Sequence, residues 1–223
     1  SNDRNRTRRR DAPVGRLMAN IMADEEQRLI AAAQRGDVES FNALVRLYEG
    51  RVYNLGYRML GDADSAADAS QEAFLSAFRN IRSFRGGSFR SWLLRIATNA
   101  CYDVLRAKKR RPSVSLDASD PDADDSPLQI ADDHESPDDL ALRHELAVAI
   151  QEGLAHLPED QRLVVVLSDV QGLAYEEIAQ ITNANLGTVK SRLSRGRARM
   201  REVLRAGELL PMRYRLSDGG SWM

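Results

Sequence analysis

Apolar residues recur at three- and four-residue steps along most of this chain, and glycine-containing breaks punctuate the runs. Leu29, Ile30 and Ala33 form a short run that ends at Gly36-Asp37. Phe41, Leu44, Val45, Leu47, Tyr48, Val52, Leu55, Met59 and Leu60 follow as one long helical stripe, stopped by Gly61-Asp62. A third helix should begin near Asp64 or Ser65 and present Ala66, Ala69, Ala73, Phe74, Ala77 and Phe78. After the Gly86-Gly87 break, Ser88 suits an N-cap, and Phe89, Trp92, Leu93, Ile96, Ala97, Ala100, Val104 and Leu105 carry a fourth helix. Phe89 and Trp92 stand at core spacing. Strand-type alternation is absent, so residues 24–110 read as a helical bundle.

Two stretches interrupt this pattern. Residues 1–23 are arginine-rich without an apolar period and are expected to be disordered. Residues 111–138 hold Pro112, Pro121, Pro127 and Pro137 among many Asp and Ser residues. That composition buries too little apolar surface to offset chain ordering, so a flexible acidic linker is expected. A second helical module follows at residues 139–206, with an irregular tail at 207–223. The predicted architecture is all-α, two small helical domains joined by the linker, the second containing a helix-turn-helix.

That motif is the most informative part of the chain. Residues 173–181 and 186–193 form two short helical patterns around a polar turn, Thr182-Asn183-Ala184-Asn185. Ile178 and Ala179 can pack against Val189 and Leu193, with Met200 also turned inward, and Asn185 can cap the second helix by accepting the amide of Thr188. Thr188, Lys190, Ser191, Ser194, Arg195 and Arg197 are then left outside. Short hydroxyls near a helix start suit base-edge contact, and long cations suit phosphate and guanine. A solvated basic face on an ordinary hairpin is the alternative. The coincidence of turn, cap, inward apolar set and hydroxyl–cation mix favours DNA reading.

Composition adds exclusions. The chain has 223 residues and a formal net charge of −1, which looks wrong for a DNA binder until the charges are located. Basic residues cluster at Arg4–Arg16, Arg106–Arg111 and Lys190–Arg205, whereas Asp117–Asp139 contains no Lys or Arg. This segregation suggests basic surfaces on separate modules, able to mask one another until a partner separates them. The longest apolar stretch, Leu163–Leu167, is far too short to span a membrane. No apolar segment follows the arginine-rich start, so no secretory signal is expected, and a cytoplasmic protein fits. Cys101 is the single cysteine, which excludes an intrachain disulfide, argues against a Cys-based zinc site and suits a small residue on a packed helix. His134, His144 and His156 lack acidic or cysteine partners at metal-ligand spacing. Glu176 and Glu177 diverge on a helix and cannot share a substrate. There is no glycine-rich phosphate loop. No catalytic residue, metal or cofactor is expected.

The segment from Leu157-Pro158-Glu159-Asp160-Gln161-Arg162 through Gly187-Thr188-Val189-Lys190-Ser191-Arg192-Leu193-Ser194-Arg195-Gly196-Arg197 resembles the region-four domain of extracytoplasmic-function (ECF) RNA polymerase sigma factors, in the sigma-70 family. The resemblance implies reading of the minus-thirty-five promoter element by Lys190, Ser191, Ser194 and Arg195, with Thr188 and Arg197 on phosphates. Asn185-Leu186 stand where many members have Ser-Glu, which implies altered phosphate proximity or base preference.

The first module supports the same family. Asp68-Ala69-Ser70-Gln71-Glu72-Ala73-Phe74 is similar to the region that docks on the polymerase clamp coiled coil, which implicates Asp68, Gln71 and Glu72. These residues, with Arg79, fall on a polar strip that by itself is only a solvated face. Phe84-Arg85-Gly86-Gly87-Ser88-Phe89-Arg90-Ser91-Trp92-Leu93 is similar to the minus-ten recognition region. Unstacked bases are held by aromatic faces, small polar groups and a cationic track. Phe84, Asn80 and Ser83 are placed on a loop suited to a flipped base, and Arg95 and Asn99, one turn apart, face the same strand. Arg106, Lys108 and Lys109 suit duplex phosphate. The implied partners are core RNA polymerase, through its clamp and flap, promoter DNA and an anti-sigma factor. The alternative function is a helix-turn-helix transcription regulator that binds an operator without replacing sigma.

Overall fold

The computed structural model describes residues 11–110 and 137–206, all of them helix, turn or short connection. Residues 1–10, the acidic stretch at 111–136 and the tail at 207–223 lie outside the described residues, as do the side chains of 11–22, 137–140 and 206. Among the described residues there is no strand, and no helix is long and apolar enough to cross a membrane.

The first four helices are α1 (Asp11–Gln34), α2 (Val38–Leu60), α3 (Ala63–Asn80) and α4 (Phe89–Arg110), with a single 3-10 turn at Ile81–Ser83. Helix α1 begins at Asp11, well before the start near Asp24 that the apolar pattern suggests. The boundaries elsewhere follow local chemistry. Asp37 caps α2 by accepting the Glu39 amide, and Gly61, at φ 85°, ends it by returning its amide to the Tyr57 carbonyl. Asp62 then caps α3 through the Ser65 amide at 2.8 Å. Ser88 caps α4, accepting from the Ser91 amide at 3.1 Å.

Burial follows most of the predicted faces. Leu44, Val52, Leu55, Met59 and Leu93 are almost fully enclosed, whereas Leu47 and Phe78 are exposed at 49% and 40% and Leu94, outside the predicted stripe, is buried. Ala66, Ala69, Ala73 and Ala77 give α3 a narrow face. That face lets α2 and α3 approach closely. A Cβ on Gly56 would lie 3.3 Å from the Ala66 backbone, so the glycine sets the spacing of the pair.

The remaining helices are α5 (Pro137–Ala155), α6 (Glu159–Val165), α7 (Tyr175–Thr182) and α8 (Leu186–Ala206). Helix α6 runs on through one π turn at Val166–Val170, in which the Gln171 amide bonds the Val166 carbonyl at 2.9 Å. Leu154, Leu163, Val164, Val166, Leu167, Ile178, Val189 and Leu193 form the buried set here.

The two apolar sets are continuous. Helix α2 packs on α5 and α6, and α4 packs on α7, so one hydrophobic cluster runs through both halves. Polar side chains stitch this boundary. Arg58, only 5% exposed, donates to the Ala147 carbonyl at 3.3 Å and to Gln151 Oε1 at 3.2 Å. Gln151 donates to the Tyr57 carbonyl at 3.2 Å, Arg162 to the Met59 carbonyl at 2.6 Å and Gln171 to the Arg51 carbonyl at 3.0 Å. Of these acceptors, Met59 offers a last-turn carbonyl of α2 that has no partner within its own helix, whereas the Tyr57 carbonyl already takes the Gly61 amide and gains a second donor. The second half therefore finishes the capping of a helix in the first.

Candidate nucleic-acid interface

The helix-turn-helix is formed by α7 and α8. Asn183 adopts a left-handed conformation, φ 50°, at the end of α7, which asparagine tolerates better than most residues. Two residues later, Asn185 Oδ1 accepts the Thr188 amide at 2.8 Å and starts α8. Ile178, Val189 and Leu193 are buried, as the spacing requires. Lys190, Ser191, Ser194, Arg195 and Arg197 are exposed, and Thr188 is half-buried at the same end.

These outward residues are not equivalent. Ser191 donates to the Thr188 carbonyl, and Arg195 Nε donates to the Ser191 carbonyl at 3.2 Å, so both side chains lie along their own helix. Arg197 is committed elsewhere. Its Nε donates to Asp169 Oδ2 at 2.9 Å and a second nitrogen meets the other carboxylate oxygen. Hydrogen bonding from Arg197 holds the Asp169 carboxyl below the usual carboxylate range against the opposing effect of burial. Arg192, outside the predicted contact set, is held by Asp160 at 2.9 Å. The sequence reading treated Arg197 as a free phosphate contact; the distant Asp169 that engages it gives no local signal.

On α3, Asp68, Gln71 and Glu72 are exposed, and Arg79 lies 3.8 Å from Glu72. Gln71 also borders an apolar groove with Val38, Phe41, Phe74, Leu75 and Phe78. The strip is therefore less purely polar than the helical wheel suggests.

The minus-ten candidates divide. Asn80 ends α3, its amide donating to the Ser76 carbonyl, and Ser83 sits in the 3-10 turn bonded to the Asn80 carbonyl at 2.7 Å. Both are exposed. Phe84 is not on an open loop. It is 6% exposed, with its ring centroid 5.5 Å from both Phe89 and Trp92, and its carbonyl accepts from Gln34 at 2.8 Å. The glycines that follow free the chain, but the aromatic ring itself gains more by joining Phe89 and Trp92 than by facing water. Phe84 is core in this structure, and so is Phe89.

Arg95 and Asn99 are exposed on α4, yet they face the second half of the protein. Together with Thr98, Tyr102, Asp160, Arg192 and, from α7 and its end, Ile181 and Asn183, they line a cleft of about 330 Å3. Farther along α4, Arg106 pairs with Asp103, Lys108 with Asp62 at 2.6 Å and Lys109 with Glu159 at 2.8 Å. The last of these pairs crosses to α6.

A contact that sequence reasoning missed lies at the start of α4. Glu177, on α7, accepts the Ala174 amide at 3.0 Å with one carboxylate oxygen and the Ser91 hydroxyl with the other, and Arg90 lies 3.9 Å away. Partial burial raises the Glu177 carboxyl, but Ser91, the Ala174 amide and Arg90 outweigh it, leaving a group below its ordinary range. Cys101 is buried and its thiol is pushed up to about 12 by desolvation. Among the described residues, no group of three His, Cys, Asp or Glu side chains is placed to hold a metal.

Comparison with known proteins converges on one family. Residues 44–111 match the model of sigma-70 region 2, and residues 147–200 match that of sigma-70 region 4. The RNA polymerase sigma-H factor of Pseudomonas aeruginosa is 37% identical over 189 residues, covering 82% of this chain and 96% of that protein. The ECF sigma factor SigW of Bacillus subtilis is 40% identical, over 79% of this chain and 95% of its own length. The ECF sigma-E factor of Escherichia coli is 39% identical, over 77% and 90%. Among solved structures, the sigma factor RpoE of Bartonella quintana in complex with the anti-sigma factor NepR superposes with a TM-score of 0.57 and 25% identity, covering 75% of this chain and 98% of that one. CnrH, solved with the cytosolic domain of CnrY, gives a TM-score of 0.60 at 24% identity over 82% and 99%, a likeness of fold.

Proposed function

The chain belongs to the ECF branch of the sigma-70 family, and from that premise we propose how its two halves divide promoter recognition. It is a sigma factor: it joins core RNA polymerase and directs initiation at chosen promoters. The domain spanning residues 139–206 reads minus-thirty-five duplex through the start of α8. Lys190, Ser191, Ser194 and Arg195 meet the major groove, with Thr188 at the flanking phosphate. Arg197 serves this surface indirectly, by fixing α8 against the π turn through Asp169. The observation that carries the reading is this exposed hydroxyl–cation strip on a helix whose opposite face, Val189 and Leu193, is buried.

The domain spanning residues 24–110 holds the polymerase clamp through Asp68, Gln71 and Glu72. It captures minus-ten single strand with Asn80, Ser83, Arg95 and Asn99. Phe84 joins them only by leaving its aromatic cluster. Arg106, Lys108 and Lys109 follow adjoining duplex once their acidic partners are displaced. The chain carries no chemistry of its own and needs no cofactor; bond formation belongs to the polymerase. It acts in the cytoplasm, where the polymerase is, and an anti-sigma factor is its expected inhibitor. The operator-binding regulator is disfavoured, because it would leave the region-two match without a role.

The direct test mixes the purified chain with bacterial core polymerase and a pool of genomic promoter fragments, and sequences the transcripts. New start sites preceded by a shared pair of elements are expected. A polymerase indifferent to the chain, while the chain alone selects duplex sites, would overturn the assignment.

A further inference from the structure

One outward residue of α8 differs in chemistry from the rest of its strip. Leu186, the first residue of the helix, is 39% exposed and takes no part in the hydrophobic cluster that runs through the described residues of both halves. A lone exposed leucine needs no explanation on most of a surface. Its place on this helix gives it one. Leu186 stands one turn before Lys190 and two before Ser194, and Gly187 one turn before Ser191, so these exposed residues share a face. Val189 and Leu193 hold the other face inside. The leucine therefore lies on the duplex-reading strip, at the N-terminal end that in this motif meets base edges.

Two local features fix its position there. The Asn185 side chain accepts the Thr188 amide at 2.8 Å and its carbonyl accepts the Val189 amide at 3.1 Å, so the first turn of α8 is tied down around the leucine. Beside it, a Cβ added to Gly187 would meet only Asn185 Oδ1, at 3.3 Å, among the described residues. The space next to Leu186 is open, and a base edge can approach the helix without a clash.

The major groove presents hydrogen-bonding atoms at every base pair and a single apolar group, the C5 methyl of thymine. An acidic side chain at this place would accept from the amino group of cytosine. Leucine has no polar atom to offer, so it would leave that amino group unpaired, whereas a methyl is a surface it can bury. Helical rise sets Leu186 about 6 Å from Lys190 along the axis, roughly two base steps of ~3.4 Å.

We propose that Leu186 reads a thymine of the minus-thirty-five element by packing on its C5 methyl, about two base pairs from the pair met by Lys190, and so selects against cytosine there. This rests on the sigma reading above and names a further base-reading residue of the same surface.

The methyl can be removed from the DNA without disturbing any hydrogen bond. Holoenzyme formed from the full-length chain and bacterial core polymerase first selects minus-thirty-five elements from a randomised duplex pool. Each thymine of the selected element is then replaced singly by deoxyuridine, which pairs as thymine does and lacks only the C5 methyl. At one position wild type should lose about fourfold in affinity, equivalent to the ~0.8 kcal/mol of one buried carbon. Leu186→Ala should bind the thymine promoter more weakly than wild type and lose nothing further on deoxyuridine at that position. Leu186→Met, apolar and of similar reach, should keep the discrimination, a rescue that a merely structural role would not produce. A leucine buried against polymerase instead would show as an equal loss for Leu186→Ala on every promoter, with the deoxyuridine penalties unchanged. That result, or an element without thymine at the expected distance, overturns the thymine contact. If polymerase selects no element while the chain alone selects duplex sites, the sigma reading falls, and the same deoxyuridine series on those sites still decides the role of Leu186.

Discussion

Gly196 has no room for a methyl group. A Cβ there would lie 2.8 Å from Val165 Cγ2 and 3.3 Å from the Gln161 carbonyl oxygen, and neither a branched side chain nor a backbone atom yields easily. Gly196→Ala should cost about 1–3 kcal/mol by the usual toll of overpacking, read as a lower melting temperature. Gly153 is the useful contrast, because its nearest neighbour is the flexible end of Met200, so Gly153→Ala should be far milder. Asn185→Ala removes the cap of α8 and should cost about 1 kcal/mol. The Arg197–Asp169 pair adds a pH signature. The Asp169 carboxyl is depressed in the folded protein, so its contribution is complete above the unfolded value of ~4 and is lost as the pH falls through the folded value. Melting curves of wild type and Asp169→Asn should therefore differ near neutrality and converge in acid. A gap that stays constant to low pH would assign the effect to packing instead.

Among the elements, α8 was the most legible in the sequence. Its cap, buried stripe and exposed strip all follow from spacing within a single helix, which a wheel captures. The same reasoning placed the breaks at Gly36, Gly61 and Gly86. It failed where the deciding neighbour was remote. Phe84 follows a helix and precedes two glycines, so it read as a loop aromatic; only the meeting of α3 and α4 shows the cluster it joins. Arg197 and Lys190 look alike in the chain, yet one has a carboxylate partner 28 residues away. The difference is measurable. Lys190→Ala should weaken minus-thirty-five duplex binding across sequences and reduce the salt dependence of log affinity by about 1. Arg197→Ala should instead lower the stability of the fold and leave that slope nearly unchanged. Equal slope changes in both would show that Arg197 leaves Asp169 to reach DNA.

For the whole molecule, the two-part organisation was readable from the acidic, proline-containing stretch, whereas the union of the parts was not. Arg58, Gln151, Arg162 and Gln171 are isolated polar residues on helical patterns, and each reads as ordinary solvated surface. Their hydrogen bonds depend on a second surface that no local period encodes. Because one apolar cluster spans both halves, thermal unfolding of the wild-type chain should follow a single cooperative transition. Two separated transitions by calorimetry would show that the halves melt independently.

The pairing of Lys109, next to the last residue of α4, with Glu159, at the start of α6, shows how near the chain's two halves meet on either side of residues 111–136. Whatever path those residues take, a tether of that length confines each half to the neighbourhood of the other at an effective concentration of about 1 mM. Surfaces that would attract each other only with a dissociation constant of ~0.1 mM as separate molecules would then be together about ten times as often as apart. Even a modest intrinsic affinity between the two surfaces therefore suffices to keep the halves joined.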